Sequence, residues 1–200
     1  MSNVVPPNPA RRSERSRQAI LAAATELCTE KGYARTTVEA IAARAGVSKK
    51  TIYRWWASKG AILLEAITDA VVLTTPFPDT GDLAADLRAQ MNGIVRQLAN
   101  PPLGPAYAGI LTEIQYDDEL CRAVQEEFVD VRVRAAKIRL LSAVDQGELP
   151  TDADLDLAVE LFYGPLYYRH TLRRPNHDPE RIAQLIDHVL RALGARTVKP

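Results

Sequence analysis

Apolar residues recur along this chain at three- and four-residue intervals, the period of an amphipathic helix, almost from end to end. The first segment covers residues 13–31 and places Ile20, Ala23, Ala24, Leu27 and Cys28 on one stripe. Gly32 follows where a helix-ending glycine belongs. A second helix is expected after Thr36 or Thr37, either of which can cap it, with Val38, Ile41, Ala42 and Ala45 turned inward. A third is expected over 49–56, and a fourth, capped by Ser58, over 59–73. Prolines and glycines break the pattern at 74–81 and 100–105. Further helices are expected over 82–99, 106–116, 117–146 and 150–172, and a last one ends at Leu193 after a loop over 175–179. No alternating apolar–polar run is long enough for a strand. The pattern predicts an all-α protein of about nine helices.

Between the second and third helices the sequence has a specific shape. Gly46 can take the positive φ of a tight turn, Val47 can plug the corner, and Ser48 can cap the third helix. Ala42 is small where the two helices must approach. This is the arrangement of a helix-turn-helix. Around the third helix, Ile52, Trp55 and Trp56 fall on one arc, and Lys50, Thr51, Tyr53 and Arg54 on the opposite one. One side is fit for burial. The other can donate hydrogen bonds to base edges and phosphates, as a recognition helix must. Lys50 suits guanine O6 and N7, Thr51 a thymine methyl or a phosphate, and Tyr53 and Lys59 the phosphates.

Charge sharpens this reading. The chain is formally neutral, yet residues 1–60 hold 11 Lys/Arg against 4 Asp/Glu, and residues 61–200 hold 14 against 21. A basic module that meets a polyanion is joined to an acidic module with another task. Hydrophobic residues at 46% and charged ones at 25% are ordinary for a globular chain. No apolar run approaches the roughly 18–20 residues of a membrane span, and the first residues lack the apolar stretch of a signal peptide, so a cytoplasmic protein is expected. Cys28 and Cys121 lie far apart in helical patterns and are expected to be reduced thiols. Catalytic fingerprints such as GxSxG, HExxH and the phosphate-cradling GxxxxGK[ST] are missing, and neither the histidines nor the Asp152-Ala153-Asp154-Leu155-Asp156 run forms a metal or acid–base constellation. Neither an enzyme nor a cofactor or metal site is expected, and the aspartate run reads as a solvated helix start.

The stretch Gly32-Tyr33, Thr36-Thr37-Val38, Ile41-Ala42, Ala45-Gly46-Val47-Ser48, Thr51-Ile52-Tyr53, Trp56 and Ser58-Lys59 with Leu63 resembles the N-terminal pattern of the TetR family of bacterial regulators. Lys50 stands where a small residue is frequent in that family, and Trp55 where a histidine or another aromatic is. The resemblance implies a symmetric homodimer on a pseudo-palindromic operator, one recognition helix in each half-site. It further implies a helical C-terminal domain that senses a small ligand, shifting the fourth helix and lowering DNA affinity. The expected division is a disordered leader over 1–12, a three-helix DNA-binding domain over 13–58 and a dimerisation and ligand-sensing domain over 59–200. The DNA-contacting candidates are Arg12, Thr36, Thr37, Ser48, Lys49, Lys50, Thr51, Tyr53, Arg54, Trp55 and Lys59, with Arg11, Arg15 and Arg17 as further candidates for an adjacent groove.

In the C-terminal part, Ile182, Leu185, Ile186 and Val189 form a stripe that must be buried, in the core or against a partner. The preceding helix is apolar on two sides, with Leu161 and Tyr168 on the second. With the resemblance, these six residues are expected at the dimer interface. Met91, Ile94, Leu98, Tyr107, Ile110, Leu111, Ile114, Phe128, Phe162, Tyr163 and His170 are the candidates for an apolar ligand chamber, and each can equally be plain core. Gly164-Pro165 is expected to kink its helix. The function expected is a transcriptional repressor released from a palindromic operator by a small hydrophobic ligand. A ligand-independent activator or an architectural DNA-binding protein would share the same residues.

Overall fold

A computed structural model of the chain describes residues 9–72, 77–175 and 178–195, and every regular element among them is helical. In order these are α1 (Pro9–Lys31), a 3-10 turn (Tyr33–Arg35), α2 (Val38–Ala45), α3 (Lys49–Tyr53), α4 (Lys59–Val72), α5 (Leu83–Ala99), α6 (Leu103–Glu113), α7 (Asp118–Ala123), a π-helical stretch (Val124–Val129), α8 (Asp130–Asp145), α9 (Leu155–Thr171) and α10 (Pro179–Ala192). Because α7, the π stretch and α8 run on without a break, the described residues form nine helical rods.

Side-chain caps set several of the boundaries. Thr37 accepts from the Ala40 amide at 3.2 Å, Ser48 from Thr51 at 3.1 Å, Asp82 from Ala85 at 2.9 Å and Asp178 from Arg181 at 2.8 Å, each satisfying an otherwise orphaned donor. Asp154 accepts from Asp156 and Leu157, so the aspartate run is a capped helix start, and α9 begins at Leu155 rather than near Pro150. Residues 9–12, expected in a disordered leader, instead form the first turn of α1, which opens on a proline suited to that position. Residues 1–8 of that leader lie outside the described residues. α3 is shorter than expected. After Tyr53 the amides of Trp55 and Trp56 both bond back to the Ile52 carbonyl, and this turn carries Trp56 into the core.

Two apolar cores result. The first joins α1 to α4 with α6, α7 and the π stretch, and holds Ile20, Leu27, Ile41, Ile52, Leu63, Ile67 and Ile110. Burying each of these large side chains contributes roughly 1.5–3 kcal/mol before entropy is counted. The helix-turn-helix therefore has no core to itself, since α4 and α6 complete it. The second core gathers α5, α8, α9 and α10 around Leu87, Met91, Leu140, Phe162, Ile182 and Ile186. A buried polar cluster ties this half together. Arg139 is 2% exposed and donates to Asp86 at 2.8 Å and to Glu148 at 3.1 Å.

On α10 the residues expected at the dimer interface are covered within the chain itself. Ile182 and Ile186 are fully buried and Val189 nearly so, because α10 lies across α5 of the same chain. Leu185 is half-buried against the same core. The apolar faces left open are elsewhere. On α8, Val131, Ile138 and Leu141 are exposed, Ile138 by 69%. On α9, Leu157, Leu161 and Tyr168 are exposed at helical spacing, and Leu172 just past its end is exposed too.

Candidate nucleic-acid interface and ligand cavity

The geometry of α2 and α3 follows from four residues. Thr37 and Ser48 cap the two helices, Gly46 turns between them at φ 66°, and Val47 packs half-buried against the core at the corner. Ile52 is then fully buried under α3, and Trp56 is 5% exposed, its Nε1 donating to Glu65 at 2.6 Å. On the outward side Lys50, Tyr53 and Arg54 are exposed, and Thr51 is half-exposed with its hydroxyl 2.9 Å from that of Ser48. A rigid apolar underside thus carries a row of hydrogen-bond donors toward solvent.

Other candidates are placed differently. Thr36 is fully buried and its hydroxyl donates to the Gly32 carbonyl at 3.0 Å, so it closes the turn after α1 and faces no solvent. Lys59 donates to the Tyr33 carbonyl at 3.0 Å and sits 4.4 Å from the centre of the Tyr33 ring, and these contacts hold its partly exposed ammonium at the start of α4. Trp55 is half-buried, edge-on to Trp56, with the Arg54 guanidinium 5.2 Å from its ring. Lys49 pairs with Glu39 at 3.0 Å on the open surface, and that hydrogen bond raises its pKa. Arg17 is held by Glu14, Glu65 and Asp69, while Arg15 is exposed. The side chains of Arg11 and Arg12 lie outside the described residues.

The helix-turn-helix is fastened to the rest of the chain through Tyr33. Its hydroxyl donates to Glu113 on α6 at 2.7 Å. Burial first, and then the Glu113 carboxylate, push its pKa far up, so it remains a phenol that donates.

The C-terminal half holds a cavity between α5, α6, α9 and the junction of the π stretch with α8. Its two lobes, 160 and 180 Å³, share Gln90, Ile94, Tyr107, Phe128, Arg132 and Tyr167. Tyr163 closes one lobe, its hydroxyl donating to Gln90 Oε1 at 2.8 Å, and Leu98 lines the other. Of the chamber candidates, Ile94, Leu98, Tyr107, Phe128 and Tyr163 thus come together here. His170 lies in a separate, open cleft beside Tyr33 and α6, near the Tyr107 ring, and burial lowers its pKa. Met91 and Phe162 are fully buried in the second core and Ile110 in the first, with Leu111 and Ile114 packed against the latter. These five line none of these cavities, because they fill the contacts between helices. Gln90, Arg132 and Tyr167 were not expected. Helical spacing puts Arg132 one turn beyond Phe128 and Tyr167 one turn beyond Tyr163, a signal that could have found them.

Comparison with known proteins agrees with this architecture. The pattern of "Bacterial regulatory proteins, tetR family" matches residues 20–66, and that of "Tetracyclin repressor-like, C-terminal domain" matches residues 77–189. The chain is 30% identical to the HTH-type transcriptional regulator YdeS of Bacillus subtilis (strain 168), over 92% of each chain. It is 33% identical to the DNA-binding transcriptional repressor TetR of Mycobacteroides abscessus, covering 92% of this chain and 98% of the relative. The solved structure of the TetR family regulator SCO0332 superposes with a TM-score of 0.75 at 32% identity, covering 93% of this chain and all of the other. A family of transcriptional regulators, not enzymes, has this pairing of an N-terminal reading module with a helical C-terminal domain. The chain belongs to the TetR family of DNA-binding transcriptional regulators.

Proposed function

We propose that this protein is a homodimeric repressor that binds a pseudo-palindromic operator and is released by a small ligand held in the C-terminal cavity. The carrying observation is α3, whose buried Ile52 fixes the helix while Lys50, Tyr53 and Arg54 stand exposed on its outer face. In this reading Lys50 and Thr51 address base edges, and Tyr53, Arg54, Thr37 and Ser48 address the backbone. Residues 13–58 act as the reader and 59–200 as the dimerisation and sensing part, working in the cytoplasm where bacterial DNA lies. The exposed apolar faces of α8 and α9 supply the dimer contact. Two copies joined there across a two-fold axis present two α3 helices to successive half-sites. Repression is the role named for the Mycobacteroides abscessus relative. Release requires that the ligand bind the DNA-free arrangement better than the DNA-bound one.

The test is capture of fragmented genomic DNA from the source organism on the purified protein, followed by sequencing. A few sharply enriched sites sharing an inverted repeat are expected. Diffuse enrichment would remove the operator from this proposal and favour an architectural role.

A further inference from the structure

Two arginines lie seven residues apart on one helical rod, and their surroundings differ. Arg139 is paired with Asp79, Asp86 and Glu148. Arg132 borders both lobes of the cavity and makes no ion pair with a carboxylate among the described residues. Its guanidinium lies 3.4 Å from the centre of the Phe128 ring, and one of its nitrogens donates to the Phe128 carbonyl. A guanidinium carries five N–H donors, so most of this one's capacity is unspent. Burial works against its charge and lowers its pKa, and the contacts that offset this are the Phe128 ring and carbonyl. A half-buried cation on an apolar wall is costly unless something pairs with it.

The rest of the lining has the same polarity. Gln90 Oε1 is already taken by the Tyr163 hydroxyl, which leaves the Gln90 amide as a donor. Tyr107 and Tyr167 line the same space. The Arg132 guanidinium and the Gln90 amide are therefore donors beside a wall whose apolar part is Ile94, Phe128, Val129, Val133 and Val159. Size narrows the choice. A cavity of about 150 Å³ takes a benzene ring, and each lobe here measures 160–180 Å³.

Resting on the reading of this cavity as the sensing site, we propose that it takes a small monoanion, a single aromatic ring bearing a carboxylate, with the carboxylate on Arg132 and the ring among Ile94, Val133 and Val159. Arg132 then decides ligand class, because a bidentate guanidinium–carboxylate pair is charge-assisted and a neutral amide forfeits it.

The experiment is calorimetric titration of the full chain with benzoate, and with benzamide and toluene as uncharged counterparts. Benzoate is expected to bind best, and Arg132→Met to weaken it roughly 10- to 100-fold while leaving toluene unchanged. A second variant, Gln90→Glu, places a carboxylate inside the same cavity and is expected to exclude benzoate in a protein whose circular dichroism is unaltered. Equal binding of benzoate and benzamide, or benzoate binding indifferent to both substitutions, overturns the anion assignment and leaves the sensing cavity standing. If none of the three probes binds, the cavity is not a ligand site and both readings fall.

Discussion

Gly109 on α6 lies so close to Tyr33 that a Cβ added to the glycine would overlap the aromatic ring. The same tyrosine bonds Glu113 one turn further along α6, and its hydroxyl lies against Gly60 on α4. The reading module is thereby keyed into the C-terminal half by two residues without side chains. Gly109→Ala is expected to destabilise by about 1–3 kcal/mol, as overpacking does, even though alanine is the better helix former. Adding Tyr33→Ala should return part of that loss. A double-mutant cycle by urea unfolding checks it, and strict additivity would show that ring and glycine do not press on each other.

The outer face of α3 makes a separate prediction. Lys50 and Tyr53 are exposed and belong to neither core. Lys50→Ala and Tyr53→Ala should each lower operator affinity by about 1–3 kcal/mol and leave the melting temperature within a degree or two. Lys50→Ala should also flatten the dependence of affinity on salt if it meets a phosphate, and relax base preference if it meets a guanine. Fluorescence anisotropy with an operator duplex at several salt concentrations distinguishes these. Unchanged affinity in both variants would remove α3 from the interface.

Most of this arrangement is legible in the sequence, for identifiable reasons. Thr37, Gly46 and Ser48 act locally, so their residue types reveal a capped turn without tertiary knowledge. The buried arc of α3 follows from spacing alone. What spacing cannot tell is which neighbour covers an apolar stripe. The stripe of α10 is as regular as an interface stripe, yet α5 of the same chain covers it, and the open faces fall on α8 and α9. Thr36 and Lys59 carry groups suited to DNA, and the fold turns both onto the 32–33 segment. The π stretch leaves no mark in the apolar period, and a lone arginine such as Arg132 looks like surface until its surroundings are known.

The exposed faces of α8 and α9 give an oligomerisation test. Ile138→Asp and Leu161→Asp alter residues that each chain leaves open, so both variants should remain folded and sediment as monomers in analytical ultracentrifugation. Ile182→Asp alters a residue with no exposed surface and should instead unfold the C-terminal half, since an unpaired charge in a packed core costs several kcal/mol. A dimer that survives both surface substitutions would move the interface elsewhere.

The Arg139 cluster makes the stability depend on pH in a definite direction. Burial alone would raise the pKa of Asp86. The Thr80 amide at 3.0 Å, the Thr80 hydroxyl at 2.7 Å and Arg139 at 2.8 Å all bind its ionised form, and together they hold it below the usual carboxylate range. A carboxyl group depressed on folding contributes stability that is complete above its unfolded pKa of about 4 and is lost as pH falls through the lower folded value. Arg139→Met removes the partner of three carboxylates at once, Asp79, Asp86 and Glu148, and at neutral pH should cost about 3–5 kcal/mol, the penalty of leaving buried charge uncompensated. Without the guanidinium, Asp86 loses part of what favours its ionised form, so its pKa should rise from its depressed value while the two Thr80 bonds remain. The variant is therefore weakest relative to the parent near neutrality, and the gap between them should narrow as the pH is lowered below about 4. Urea unfolding at a series of pH values measures that gap directly, and a gap that stays constant across the series would mean that Arg139 stabilises by packing rather than by charge.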